Sequence, residues 1–422
     1  MKICYATDYL PGYHKSWGGA EQVCYRLCKI LARKGHEVTI LATRPLQRPD
    51  DDFEFFELPV LEDALPTKLQ SYVRQIKVVL LPPDLRAGLA SYKVLKELKP
   101  DVLHLHNFYS LTLSLLWSAK RLGIPTVCSI YDYSFICPMG HLWVLKDYAS
   151  YEGTQCRKFH GSHCVHCLIR YTKLGYPLYP LLSLRKRFFN LSSSKIDSFV
   201  VLSECNGKVL QEYGIEKERI VAIPIPLSEE IGAPKEEDHS ILYVGWIQPR
   251  KGPHVILEAM PQILQRIPKA KLYMIGEQKS NRAYEEKIAG LLSRGDLDRH
   301  VALLGRRPFA EVRDFLKKAA VLVIPEQWET IAPNALTEGM VFGKAIVASR
   351  IGGILDYIND GENGLLAKAD DPSDFAVKII SILEDQQLGR RLGHEARNTG
   401  LRLFSEERVC QQLLDLYGSL AR

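Results

Sequence analysis

The sequence lacks any apolar run of about 18 residues, so we expect no membrane-spanning helix. Its opening stretch, "MKICYATDYL", has no basic segment followed by an apolar run and a small-residue cleavage site, so we expect no signal peptide. Internal repeats and low-complexity tracts are also absent. Together these absences predict a cytoplasmic protein.

Acidic residues are absent from 153–196, although the formal net charge of the chain is only +6. The same stretch holds Arg157, Lys158, Arg170, Lys173, Arg185, Lys186, Arg187 and Lys195. This asymmetry indicates an anionic partner, although a solvated basic face explains it equally well. Residues 172–190 mix aromatic and leucine side chains with Arg185, Lys186 and Arg187. We expect peripheral contact with an anionic membrane at its inner face; the alternative is a buried helix pair with a basic edge.

Ten cysteines without a secretory signal favour thiols or metal ligands over a disulfide framework. Four of them follow a C-x18-C-x7-C-x2-C spacing: Cys137, Cys156, Cys164 and Cys167. Four thiolates suit a tetrahedral structural zinc and leave no open position for catalysis. An iron–sulfur cluster, disulfides and free thiols are the alternatives. The following "LIRYTKLGYPLYPLL" contains two prolines where a base-reading helix would lie, so we expect no nucleic-acid partner.

Strand and helix patterns alternate along the whole chain. "KICYAT" reads as a buried strand, apolar residues then recur at helical spacing, and "KGHEVTILAT" supplies a second strand. "DVLHLH", "IPTVCSIYD" and "SFVVLS" continue the series before a Pro- and Glu-rich break at 224–240. The alternation then restarts with "ILYVGWI".

This order predicts an α/β protein with two Rossmann-like, doubly wound domains. We place the first domain at 1–227, with a cysteine-rich insertion at 137–167, and the second at 238–402. The final segment, 403–422, has apolar residues at helical spacing, and we expect its helix to pack back on the first domain.

The segment "PEQWETIAPNALTEGMVFGKAIVAS" (325–349) holds the strongest candidate site. A strand ends near Pro325, and a helix starts near Pro333. A helix N-terminus at the carboxyl end of a strand suits a phosphate, and the Glu338 carboxylate could accept hydrogen bonds from a ribose diol. The alternative is an ordinary surface helix flanked by glutamates.

Three further motifs follow predicted strands. "YVGWIQPRKG" places Arg250 and Lys251 beyond a strand that ends in Gly245, where two cations could neutralise a diphosphate leaving group. In "GGAEQ", Gly18 and Gly19 allow close backbone approach at a helix start. In "HLHN", His104 and His106 share one face of a strand.

The motifs "GGAEQV…LARKGHEVTIL", "PDVLHLHN", "YDYSFICP", "YVGWIQPRKG", "PEQWETIAPNALTEGMVFGKAIVAS" and "IGGILDYINDGENGLLAKADDPSDFA" occur in this order. Together they resemble glycosyltransferase family 4, whose GT-B fold has two Rossmann-like domains facing a cleft. The resemblance implies a retaining glycosyltransferase that moves a hexosyl or related group from a nucleotide-sugar donor without a catalytic metal. A glycan, glycolipid or other lipid-linked acceptor would be expected, as in polysaccharide biosynthesis.

The resemblance also implies roles for individual residues. Lys251 and Arg250 would bind the diphosphate, Glu338 the ribose and Glu329 the hydroxyls of the donor sugar, while His106 would lie beside that sugar. The remaining donor-binding positions would be Gly18, Gly19, Gly245, Thr330, Ala332, Pro333 and Asn334.

Three positions depart from the family pattern. Eight residues rather than seven separate Glu329 from Glu338, which leaves Thr330 at the usual glutamate position. Trp246 replaces an arginine, and Tyr131 replaces a histidine before Asp132. Two alternatives therefore stay open: a sugar-nucleotide epimerase of similar fold, and a catalytically degenerate transferase that acts as a binding or scaffold protein.

Overall fold

The computed structural model describes residues 1–14, 18–47, 53–80, 82–145, 153–156, 164, 167, 182–227, 239–278, 282–295 and 297–421. The chain divides into two compact units. The first comprises the described residues of Met1–Leu142, Arg157–Pro226 and Glu406–Arg422, and the second those of Trp143–Cys156 and Leu227–Ser405. Most of the expected linker (228–238) and most of the expected cysteine-rich insertion lie outside the described residues.

The first unit contains a seven-stranded sheet in the order β3-β2-β1-β4-β5-β8-β9, and every neighbouring pair is parallel. Its strands are β1 (Lys2–Ala6), β2 (Glu37–Ala42), β3 (Glu54–Glu57), β4 (Val102–Leu105), β5 (Thr126–Ile130), β8 (Ser198–Val201) and β9 (Ile220–Ala222). Strands β1, β4, β5 and β8 are apolar runs buried on both faces, as parallel strands covered by helices require.

Helices of the first unit alternate with these strands. They are α1 (Gly19–Arg33), α2 (Thr67–Leu80), α3 (Leu85–Leu98), α4 (Ser114–Arg121), α5 (Leu182–Ser193) and α6 (Glu204–Glu212). The Asp84 side chain caps α3 by accepting hydrogen bonds from the backbone N–H groups of Arg86 and Ala87. Asp84 and Glu62 also pair with the buried Lys77, which donates to the Ser110 carbonyl (2.9 Å) and so fixes the segment after β4.

The second unit repeats the architecture with a six-stranded parallel sheet in the order β12-β11-β10-β13-β14-β15. Its strands are β10 (Ser240–Val244), β11 (Lys271–Ile275), β12 (Val301–Gly305), β13 (Val321–Ile324), β14 (Ala345–Ser349) and β15 (Leu365–Ala367). A separate antiparallel pair joins β6 (Trp143–Leu145) to β7 (Gly153–Gln155). In the main sheet the chain reverses its winding direction between β10 and β13, which makes the carboxyl ends of these strands a topological switch point.

Helices of the second unit bury the faces of this sheet. They are α7 (Pro253–Arg266), α8 (Arg282–Leu292), α9 (Phe309–Lys318), α10 (Asn334–Val341), α11 (Pro372–Glu384) and α12 (Gln386–Phe404). Proline begins both α7 and α11, where its missing N–H costs no intrahelical hydrogen bond. Short 3₁₀ turns occur at Leu61–Ala64, Lys217–Arg219, Pro249–Lys251, Leu297–Arg299 and Gly352–Asp356.

The last helix, α13 (Glu406–Leu420), belongs to the first unit. Its buried side chains are Val409, Cys410, Leu413 and Tyr417. The Tyr417 hydroxyl is hydrogen-bonded to the Tyr5 hydroxyl (3.0 Å) and to His104 Nδ1 (2.6 Å). A segment at the end of the chain therefore completes the core built around the first strand.

Two parallel, doubly wound sheets flanked by helices confirm the fold class predicted from the sequence. No helix in the described part of the chain is long and apolar enough to cross a membrane.

Because Leu413 is fully buried within the first unit, Leu413→Ala should lower the free energy of unfolding by about 2–5 kcal/mol. Leu416→Ala, on the half-buried side of the same helix, is the matched control and should cost clearly less. Urea unfolding monitored by circular dichroism measures both. Equal costs for the two variants would contradict the observed packing of α13.

Candidate functional site

The loops that follow β10 and β13 interlock at the switch point of the second sheet. Gly252, which follows the Pro249–Lys251 turn, has a φ of 66°, and a Cβ at this position would lie 1.8 Å from the carbonyl oxygen of Pro325. The Arg250 carbonyl accepts a hydrogen bond from the backbone N–H of Gln327 (2.8 Å). Glycine thus lets the loop that carries two cations lie directly against the end of β13.

A second close approach occurs between β10 and β11. A Cβ at Gly276 would lie 1.8 Å from the carbonyl oxygen of Gly245, the predicted site residue that follows β10. The backbone N–H of Gly245 donates to the Ile275 carbonyl (2.9 Å). Gly245 therefore extends the strand pairing, and its contribution in this structure comes from its backbone.

Lys251 is ion-paired with Glu326, which lies outside the set of predicted site residues. Glu326 is only 3% exposed, and its second carboxylate oxygen accepts a hydrogen bond from Trp328 Nε1 (2.5 Å). Burial lowers the pKa of Lys251, the Glu326 carboxylate raises it, and the Arg250 charge lowers it further. A buried carboxylate therefore anchors one cation of the site, while its neighbour Arg250 opposes the charged form.

The Arg250 guanidinium lies over two tryptophan rings, with centroid distances of 4.7 Å to Trp328 and 5.9 Å to Trp246. Trp246 occupies the position where the family pattern has an arginine, and it is 44% exposed. Its observed role is to flank the remaining arginine. The position where the family pattern has an arginine thus holds an aromatic ring that contacts Arg250.

The segment between β13 and α10 carries the other predicted donor-binding residues. Helix α10 begins at Asn334, with Pro333 as its extended N-cap residue, and the Pro333 side chain does not cap its first turn. The Pro333 carbonyl accepts from Leu336 (2.9 Å) and Thr337 (3.2 Å), so the earlier backbone N–H groups of the helix have no intrahelical acceptor. Ala332 is half-buried before this helix start, and Asn334 is exposed.

Glu329, Thr330 and Glu338 lie in different environments. Thr330 is buried, and its carbonyl accepts from Gly353 N–H (2.7 Å), which ties the loop to the segment after β14. Glu329 and Glu338 are both half-buried, and Glu338 lies more than one turn into α10. Thr330 therefore fills the usual glutamate position as a buried loop anchor, while the adjacent Glu329 keeps partial access to solvent.

In the first unit, Gly18 and Gly19 form the start of α1, and the Glu21 side chain caps this start. The Glu21 carboxylate accepts hydrogen bonds from Gly18 N–H (2.9 Å) and from the Asn107 side chain. Glu21 is buried, so it brings negative charge to a helix start that we had expected to face a phosphate. The G-x-x-E capping-box spacing in "GGAEQ" is the sequence signal for this contact.

His104 and His106 lie side by side behind this helix start, with ring centroids 4.2 Å apart. His106 Nδ1 is hydrogen-bonded to the Tyr131 hydroxyl (2.7 Å), which is the residue that replaces the family histidine. Burial lowers the pKa of His106 to about 3. His106 is therefore neutral at physiological pH and cannot act as a cation.

Two of the four predicted zinc ligands lie close to a buried arginine. Burial lowers the pKa of Arg185, and the Cys137 and Cys164 side chains oppose this lowering. Cys164 also packs in a small apolar cluster with Val79 and Leu182. No group of three or more His, Cys, Asp or Glu in the described part of the chain is placed to hold a metal ion. Residues 157–163, 165–166 and 168–181 lie outside the described residues, and structural zinc stays a prediction.

Arg185 does not lie on the basic surface predicted for it together with Lys186 and Arg187. Its side chain is fully buried and donates to the backbone carbonyls of Val79 and Ser134. The helical period points Lys186 and Arg187 outward and turns Arg185 inward, a distinction that charge counting misses. Membrane contact by the remaining two cations stays a prediction, and 172–181 lie outside the described residues.

Solved structures show the same fold. HepE of Anabaena, crystallised in complex with UDP, matches with a TM-score of 0.69 at 14% identity and covers 100% of both chains. A glycosyltransferase from Rickettsia africae matches with a TM-score of 0.70 at 15% identity, over 100% of this chain and 98% of its own. The two-unit architecture is that of the GT-B glycosyltransferases, as the sequence predicted.

Family models cover most of the chain. One described as "Glycosyl transferases group 1" matches residues 225–399, and one described as "Glycosyltransferase Family 4" matches residues 17–230. The chain belongs to glycosyltransferase family 4, since the second model spans half of it.

Curated relatives match over shorter regions. An uncharacterized glycosyltransferase of Methanocaldococcus jannaschii is 29% identical over 56% of this chain and 63% of its own length. The D-inositol 3-phosphate glycosyltransferase of Corynebacterium efficiens is 30% identical over 44% of each chain. The phosphatidyl-myo-inositol mannosyltransferase of Mycolicibacterium smegmatis is 32% identical over 39% of this chain and 41% of its own. The chain thus spans about half the length of the curated relatives it matches.

Gly252→Ala should displace the cationic loop, because its Cβ would overlap the Pro325 carbonyl and the backbone has a positive φ. We expect a loss of more than about 1 kcal/mol in stability. Gly290→Ala, in an exposed position of α8 with open space around it, is the control and should be neutral or stabilising by up to about 1 kcal/mol. Thermal unfolding measures both, and a Gly252→Ala protein as stable as the control would disprove the close approach.

Structural zinc is tested by elemental analysis of protein purified without chelator. We expect about one zinc per chain in the wild type and a loss of the metal in Cys164→Ser, because four thiolates fill a structural zinc site. Cys205→Ser, which changes a cysteine outside the spacing pattern, should retain it. Wild-type protein without bound zinc or iron would exclude both metal hypotheses.

Proposed function

We propose that this protein is a glycosyltransferase that transfers a sugar from a nucleotide-sugar donor, with retention of anomeric configuration, to a glycan or lipid-linked acceptor. The observation that carries the proposal is the pair of cations Arg250 and Lys251 against the loop before α10, at the switch point of the second sheet. Ligands of doubly wound folds bind at this place.

Lys251 is suited to receive the diphosphate leaving group. Its ammonium has three N–H donors, and within the described residues one of them is used by Glu326. The other two are left for phosphate oxygens. The Glu326 carboxylate holds the ammonium in place, so little reorganisation is needed when negative charge develops on the leaving group.

Helix α10 supplies the second half of this proposed diphosphate site. Its N-cap residue, Pro333, offers no side-chain acceptor to the first backbone N–H groups, and the helix dipole makes this end partly positive. Glu338 is half-buried and lies about one turn further along the helix. Its carboxylate can accept hydrogen bonds from the two hydroxyls of a ribose. Fixed cations and N–H groups would do the work that a divalent ion does elsewhere, so we propose that the reaction needs no metal.

The acceptor is proposed from the relatives and from charge. One similar protein is named as a phosphatidyl-myo-inositol mannosyltransferase and another as a D-inositol 3-phosphate glycosyltransferase, so both lipid-linked and soluble phosphorylated acceptors occur among similar proteins. The exposed Lys186 and Arg187 belong to the first unit, which we propose binds the acceptor.

A panel of nucleotide sugars in thermal-shift assays tests the donor site. UDP-glucose, GDP-mannose and ADP-glucose are each compared with the free diphosphate. One donor should stabilise the wild type by about 2.7 kcal/mol at a hundred times its dissociation constant, and Glu338→Ala should lose this effect. Lys271→Ala, at the opposite end of the same sheet, should retain it.

Lys251 is tested as the double variant Lys251→Met and Glu326→Gln, which replaces the ion pair by neutral groups and leaves no buried unpaired charge. This variant should fold and lose donor binding. Retained donor binding in the double variant would contradict the proposed diphosphate site. Isomerisation of a donor without acceptor would identify an epimerase, and the absence of all donor binding would favour the degenerate binding protein.

A further inference from the structure

A single indole, that of Trp328, lies beside both cations of the candidate site. Trp328 follows β13, is 6% exposed, and donates from Nε1–H to Glu326 Oε2 (2.5 Å). Its ring centroid lies 4.7 Å from the guanidinium carbon of Arg250 and 5.7 Å from Lys251 Nζ. Both distances fall within the range of about 6 Å in which a cation is attracted to an aromatic face. One side chain thus contacts both cations through its ring and the carboxylate partner of Lys251 through its N–H.

Hydrogen bonds fix the loop on both sides of Trp328. Gln327 donates from its backbone N–H to the Arg250 carbonyl (2.8 Å) and from its side-chain amide to the Pro325 carbonyl (2.7 Å). The Trp328 carbonyl accepts a hydrogen bond from Thr330 N–H (2.6 Å), which closes a tight turn. The backbone therefore holds the indole at the end of β13, against the loop that carries the cations.

The Glu326 carboxylate uses both of its oxygens. Oε1 is paired with Lys251, and Oε2 accepts the indole N–H of Trp328. A carboxylate with one partner can turn about its last bond, whereas partners on both oxygens fix its plane. A buried indole N–H needs an acceptor, so this contact is also favourable for Trp328. The indole N–H therefore sets the direction in which Glu326 holds the Lys251 ammonium.

The same ring determines how far apart the two cations lie. Arg250 and Lys251 are neighbours in the chain, and their like charges repel. The negative face of the indole attracts both and offsets this repulsion. A ligand with two adjacent phosphate groups can meet two cations held in this way, whereas a single phosphate group leaves one of them with less of its charge neutralised.

We propose that Trp328 is a positioning residue that sets both cations at one spacing and makes the site selective for two adjacent phosphate groups over one. Its N–H acts on Lys251 through Glu326, and its ring acts on Arg250 directly. The selectivity rests on the proposed function, which supplies a nucleoside diphosphate as the leaving group. The contacts of the indole with Glu326 and the cations do not rest on it.

Proton–nitrogen correlation spectra of protein labelled with ¹⁵N-tryptophan test the indole contact without any ligand. The chain has five tryptophans, and Trp328→Phe and Trp117→Phe identify two of the indole signals. Because the Trp328 N–H is buried and donates to a carboxylate, we expect its signal downfield and slow to exchange with water. Glu326→Gln should shift it upfield.

The control is Trp117 of the first unit, which is 46% exposed. Its indole signal should exchange fast with water and stay unchanged in Glu326→Gln. A Trp328 signal that exchanges as fast as that of Trp117, or that does not move in Glu326→Gln, would overturn the indole contact.

Nucleotide binding by the full chain tests the selectivity. Calorimetry compares UDP, GDP and ADP with the matching monophosphates, and the readout is the diphosphate affinity divided by the monophosphate affinity. Trp328→Phe keeps an aromatic face but has no N–H, and it should lower the wild-type ratio about 3- to 10-fold, the value of one hydrogen bond. Trp328→Leu also removes the face and should lower the ratio further, whereas Trp117→Phe should keep it. A merely structural role would weaken both nucleotides together and leave the ratio unchanged.

The possible failures are distinguishable. A wild-type ratio in Trp328→Phe and Trp328→Leu, with both nucleotides still bound, would overturn the positioning role and leave the proposed function standing. Wild-type protein that binds no nucleoside diphosphate would overturn the selectivity together with the proposed donor site, while the spectra still decide the indole contact. Circular dichroism checks the folding of both variants, and if Trp328→Leu does not fold, the more conservative Trp328→Phe decides.

Discussion

A Cβ at position 252 would lie 1.8 Å from the Pro325 carbonyl oxygen, and the candidate site depends on this close approach. Only glycine lets the loop after β10 lie on the end of β13. The approach brings the Lys251 ammonium to the buried Glu326 carboxylate and the Arg250 guanidinium to the face of Trp328. Without it, two neighbouring cations would repel each other on a solvated loop. With it, they are held at the switch point of the second sheet, where doubly wound folds bind ligands.

The two units place polar groups by different means. In the second unit, charges are held by an ion pair and by aromatic faces, both in the segment that leads to α10. In the first unit, neutral groups are held by hydrogen bonds, and Glu21 brings negative charge to the start of α1. The second unit therefore offers a ligand fixed positive charge, whereas the first unit offers neutral groups and the Glu21 carboxylate.

The sequence predicted the fold because alternating strand and helix patterns, with glycines at the strand ends, allow few topologies. It also predicted which loops hold the candidate site, since these follow the strands. It missed Glu326, whose role depends on a contact with Lys251, 75 residues away in the chain. It misplaced Arg185, because charge counting ignores which side of a helix faces inward. The hydrogen bond between His104 and Tyr417 was equally hidden, because 313 positions separate the two residues in the chain.

The position of a bound diphosphate tests the central claim most directly. A crystal structure with a nucleoside diphosphate that stabilises the protein should show phosphate oxygens within hydrogen-bond distance of Lys251 Nζ and of the backbone N–H groups at the start of α10. A diphosphate bound at the start of α1, or anywhere else away from Lys251, would contradict the account.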